Sequence, residues 1–158
     1  MADTEMEKKA DALLDGTSAR QEESQEKKTI SDPAEQLREL CRGTLKLMNP
    51  IRAHSQDVTE IRFDFCGLNG MDMMDALDSV PTVNNMFGIT NKQAMALFAA
   101  TAEKCAPQVS EGGITTRLYD AKDVKSRMSA ADAIKAMQLA KLFYNASSQA
   151  GNNNISRE

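Results

Sequence analysis

Between Glu60 and Asp78 the hydrophobic period changes from two to three, and that change limits what the chain can build. Ile61, Phe63 and Phe65 alternate with Glu60, Arg62 and Asp64, the pattern of a strand with one dry face and one wet face. Cys66-Gly67-Leu68-Asn69-Gly70 interrupts the alternation, and Asn69 is placed to cap a helix whose third residue is Asp72. After the cap, Met71, Met74 and Leu77 recur every third residue beside a stripe of Asp72, Asp75 and Asp78. The expected unit is a strand feeding a short acidic helix through a glycine turn, with the rest of the chain packed on it.

Upstream, Asp32-Pro33-Ala34-Glu35 reads as a cap, a first-position proline and a third-position glutamate. The helix that follows has Leu37, Leu40 and Cys41 on its apolar edge and Gly43 as a left-handed stop. Thr44-Leu45-Lys46-Leu47 alternates and gives a first strand, ended by Asn49-Pro50, before a longish polar loop from Arg52 to Asp57. Two strands alone are marginal in water, so helices must cover their apolar face. Downstream, Thr90-Asn91-Lys92-Gln93 is a second capping box, opening a helix to about Cys105 with Met95, Phe98, Ala99 and Ala102 on one face. Gln108 to Thr116 reads as a mobile polar insertion and Asp120 to Met128 as a short helix. A last helix starts at Ser129 and ends near Ser147, with a narrow polar stripe of Asp132, Lys135, Gln138, Lys141 and Asn145. Its remaining surface is apolar and wide, which demands burial or a covering partner. The expected fold class is α+β, mostly helical: a small antiparallel β-hairpin packed against about four helices. Residues 33–147 form the single domain, flanked by a disordered charged arm (1–32) and a flexible polar tail (148–158).

Charge and composition then exclude several function classes. A net charge of −4 and a pI near 5.1 do not suit a nucleic-acid binder, which carries a basic stripe. No apolar run approaches the roughly 18–20 residues that span a bilayer, and the charged first residues do not suit a secretory signal. Cys41, Cys66 and Cys105 are odd in number and widely spaced, so free thiols in a reducing cytoplasm are expected. No catalytic constellation assembles. His54 is the only histidine, placed in a polar loop, and lacks the spacing of a zinc site or a nucleophile pair. Asp72, Asp75 and Asp78 lack the loop geometry of a calcium site, and the glycines match no phosphate-cradling loop. A binding protein without catalytic residues, metal or cofactor is expected.

The order of parts resembles the tail assembly chaperones of long-tailed bacteriophages and phage-tail-like particles. The resemblance runs from Thr44 to Asn145. It is carried by a short hairpin (TLKLMNPI, then VTEIRFDF), a turn into a helix (FCGLNGMDMMDAL), an alanine-rich helix (KQAMALFAATAEKC) and a closing helix (AIKAMQLAKLFYN). It implies a protein of the host cytoplasm that coats the long, helix-rich tape measure protein, keeps it soluble, and is absent from the mature virion. It further implies a homo-oligomer and, through a frameshifted longer form, contact with tail tube protein. The residues agree independently, because ten methionines make an apolar surface soft enough to adapt to a client. Client helices lying in a groove are the expected mode, with Met95, Phe98, Ile134, Met137, Phe143 and Tyr144 as the client-binding candidates. The alternative is a structural tail or baseplate component, which would share this build.

Overall fold

The computed structural model describes residues 33–81 and 88–155, so the expected arm lies outside the described residues. They fold as α1 (Pro33–Cys41), β1 (Arg42–Ala53), β2 (Gln56–Asp64), a 3-10 turn (Phe65–Gly67), α2 (Gly70–Asp78), α3 (Asn91–Lys104), β3 (Gln108–Glu111), β4 (Ile114–Arg117), α4 (Ala121–Arg127) and α5 (Ala130–Ile155). The class is α+β with an antiparallel hairpin, as the alternation around Phe63 requires.

The hairpin departs from expectation along β1. That strand does not stop at Asn49-Pro50 but continues to Ala53, because Leu47, Met48, Asn49 and Pro50 bulge out opposite Thr59 alone. A bulge is where a strand tolerates proline. The long loop is also absent: His54 and Ser55, with φ of 47° and 62°, close the hairpin by themselves. Two consecutive left-handed residues make the turn whose twist matches the flanking strands, and histidine is among the side chains that tolerate that region best. Gly43 is not a helix stop but a strand residue opposite Phe63. A Cβ there would lie 2.9 Å from Phe63 Cζ, so the missing side chain lets the ring lie across the strand.

The core forms where the hairpin meets the helices. Four of the five phenylalanines cluster there: Phe65 stacks on Phe143 at 4.8 Å, and Phe63 lies 5.4 Å from Phe65 and 5.7 Å from Phe98. Such offset and tilted pairs add about 0.5–1.5 kcal/mol each to the area they bury. The element buried most completely is α3, whose Ala94, Ala96, Leu97, Phe98, Ala99, Thr101 and Ala102 are all buried. Its alanines let α2, α4, α5 and β2 approach closely, so this helix, not the Asp57–Ser79 stretch, is the one on which the others converge.

Three further departures bear on the site. The segment after α3 is a second hairpin, closed by Gly112 and Gly113 with φ of 59° and 82°, rather than a loop. The last helix continues past Ser147 to Ile155, through the stretch expected to be a flexible tail. Cys41 and Cys66 are disulfide-bonded, with Cα atoms 5.4 Å apart, and only Cys105 is free. The expectation of three free thiols rested on spacing along the chain, which does not show that the end of α1 returns to the turn after β2.

Candidate binding surface

The six candidates do not form one outward face. Phe98 and Phe143, 0% and 8% exposed, belong to the aromatic core. Met95, Met137 and Tyr144 are half-buried and pack against it, and Ile134 alone is well exposed. Much of the wide apolar surface of α5 is consumed on several sides at once, by α3, α1 and β1, and only Ile134 and Leu142 among its large apolar groups stay well exposed. Asp132 also leaves the expected polar stripe. It is fully buried and accepts from the Met48 and Asn49 amides of the bulge at 2.9 and 3.2 Å and from the Ser129 hydroxyl at 2.7 Å. Burial pushes its carboxyl pKa up, but those donors, helped by nearby Lys135, outweigh it and hold the pKa below the ordinary value.

The outward apolar groups lie elsewhere. Met71 and Met74 on α2 are 66% and 58% exposed, Met48 on the β1 bulge and Ile114 on β4 are single exposed groups, and Leu142 joins Ile134 on the outer side of α5. On α2 the Asn69 cap is as expected, accepting from the Asp72 amide at 2.8 Å, and the structure makes it reciprocal, since Asp72 accepts from the Asn69 amide at 3.1 Å. The helix seats Met73, Ala76 and Leu77 against the core, an i, i+3, i+4 set. Of the Met71–Met74–Leu77 row only Leu77 turns inward, which leaves the two methionines beside the exposed Asp75 and Asp78. The Met73–Ala76–Leu77 spacing was the signal available in the sequence; the regular Met–Met–Leu repeat concealed it.

Two hollows flank these groups. Between α2, α3 and α4 lies a notch of about 340 Å³, floored by Ala96 and Ala100. Its walls are acidic on the α2 side (Asp72, Asp75) and basic on the other (Arg117, Lys125). Several of these charges are mutually engaged. Lys104 bonds Asp72 and thereby, with the Asn69 amide, lowers the carboxyl pKa. Arg117 bonds Glu103 at 2.8 Å. The second hollow, about 430 Å³, runs between β1 and α5 and is lined by Leu45, Phe63, Leu139 and Leu142 together with Thr44, Lys135 and Gln138.

The residues weighed for chemistry are kept apart. Cys66 is bonded to Cys41 after the end of β2, whereas His54 sits before its start, beside Glu111 at 4.0 Å. At about 3.3 Å per residue the intervening strand separates the two by tens of ångströms. Among the described residues no group of three or more His, Cys, Asp or Glu side chains is placed to hold a metal ion, and no helix is long and apolar enough to cross a membrane. Comparison with family models, with curated proteins and with solved structures finds no match.

Proposed function

We propose that this protein is a tail assembly chaperone of a long-tailed phage or phage-tail-like particle, a non-catalytic holdase for the tape measure protein. The observation that carries the reading is the outward pair Met71 and Met74, held by a helix whose other apolar residues are already seated. Flexible thioethers on a rigid helix adapt to many apolar sequences. The adjacent Asp75 and Asp78 keep the surface solvated and favour clients with basic flanks. The client surface therefore shifts from the α3–α5 residues first expected to α2, with an amphipathic client helix laid across it. The site of action under this reading is the host cytoplasm, a reducing compartment in which a Cys41–Cys66 bond would have to withstand the thiol pool.

Co-expression with the tape measure protein of the same particle tests it. The soluble fraction of the client is expected to rise several-fold with the wild-type chain and to fall back with the double variant Met71→Glu, Met74→Glu. Both positions are exposed, so the variant's melting temperature should stay within a few degrees of wild type. A soluble yield that ignores the chaperone, or survives the double variant, would sink the proposal. Mass spectrometry of purified particles is expected to find the chain missing; finding it in stoichiometric amount would favour a structural tail component.

A further inference from the structure

We propose that the free edge of β1 around Thr44 and Lys46, together with the groove beside it, binds a short extended peptide strand in which acidic and apolar residues alternate. This partner is distinct from the helical client of α2, and the inference stands or falls separately from that reading.

The direction of the backbone groups follows from one hydrogen bond. The Asp64 amide donates to Thr101 Oγ1 on α3 at 2.7 Å, so it points away from β1. Asp64 and Arg42 are therefore a non-hydrogen-bonded pair of the ladder, and by alternation so are Arg62 with Thr44 and Glu60 with Lys46. In such pairs the N–H and C=O groups of both strands point outward. On the β2 side that edge is covered: Thr101 takes the Asp64 amide, and Tyr119, its phenol pKa raised chiefly by burial, sits beside the Arg62 backbone. Further along β1 the Asp132 carboxylate takes the Met48 and Asn49 amides. The β1 edge at Thr44 and Lys46 pairs with no third strand among the described residues, and an edge of this kind is a template for another chain.

The occupant follows from what surrounds that edge. A strand added there would project alternate side chains to the two faces of the sheet. On the inner face they enter the groove over Leu139 and Leu142, which suits apolar groups. On the outer face Arg42 and Lys46 flank Thr44 and would be the added strand's nearest charged neighbours, their own cross-strand partners Asp64 and Glu60 lying one strand further away, which suits carboxylates. A second copy fits poorly. Antiparallel self-pairing centred on Thr44 sets Arg42 opposite Lys46, and like charges directly opposite destabilise a ladder. A heterologous acidic strand removes that conflict.

The probe is an acetylated, amidated, fluorescein-labelled peptide of alternating Glu and Val, with a Lys–Val peptide as its control. Fluorescence anisotropy with the full chain is expected to show saturable binding of the Glu–Val peptide and at least tenfold weaker binding of the control. Thr44→Pro removes an outward donor at an edge position, where proline is tolerated, and is expected to weaken binding about tenfold. Leu142→Glu, at a side chain 52% exposed, is expected to do the same without disturbing the fold, so the test holds even if the proline variant misfolds. Equal affinity for both peptides, no binding of either, or unchanged binding to Leu142→Glu would overturn the proposal. So would a sedimentation profile in which the wild-type chain dimerises and Thr44→Pro does not.

Discussion

Phe98→Ala is expected to destabilise the whole domain by about 4 kcal/mol, the cost of deleting a phenyl ring from a core that cannot fully close around the gap. Phe98 is wholly buried and its ring lies 5.7 Å from Phe63 and 6.4 Å from Phe65, so the loss reaches the hairpin and α3 together. Against a total stability of roughly 5–15 kcal/mol for a domain, that removes between about a quarter and four-fifths of it. Urea unfolding followed by far-ultraviolet circular dichroism measures the shift. Had Phe98 been a client contact on an open face, its removal would have changed binding and left the unfolding midpoint near wild type.

Asp132→Ala is the second large effect, about 3 kcal/mol. The carboxylate receives two bulge amides and a hydroxyl, and a buried donor left without a partner costs about 1–3 kcal/mol. Met48 and Asn49 reach the surface, so water recovers part of the loss. Asp132→Asn should cost less, since one carbonyl oxygen still accepts. The same group gives the fold an acid sensitivity of known sign. Its folded pKa lies below the unfolded value near 3.8. The stabilisation is therefore complete above that value and is lost as pH falls through the folded one. Urea midpoints below about pH 4 should fall more steeply for wild type than for Asp132→Asn; parallel pH curves would remove Asp132 from the explanation.

These two sites also mark what the sequence made legible. The caps at Asn69–Asp72 and Thr90–Gln93 were readable because each closes within one turn. The β2 strand was readable because one face of it is dry. The continuation of β1 past Pro50 was not, because the bulge is satisfied by a carboxylate 84 residues away. The second hairpin escaped notice because Gln108–Glu111 and Ile114–Arg117 bury almost nothing and so carry no alternation. The binding candidates on α3 and α5 misled for a related reason. Periodicity reports how much apolar surface a helix has and is silent on whether the protein itself or a client covers it. Leu97, Phe98 and Phe143 are spent internally, whereas Met71 and Met74 are left over. That remainder becomes visible only once the seats of Met73, Ala76 and Leu77 are known.

The methionine methyl groups offer a direct test of where a client lies, since each gives one resonance in a chain labelled at that methyl. On titration with a soluble amphipathic fragment of the tape measure protein, Met71 and Met74 are expected to shift and broaden while Met73, Met95 and Met137 keep their positions. Perturbation centred on Met95 and Met137, or no perturbation at saturating client, would contradict the assignment of α2 as the client surface.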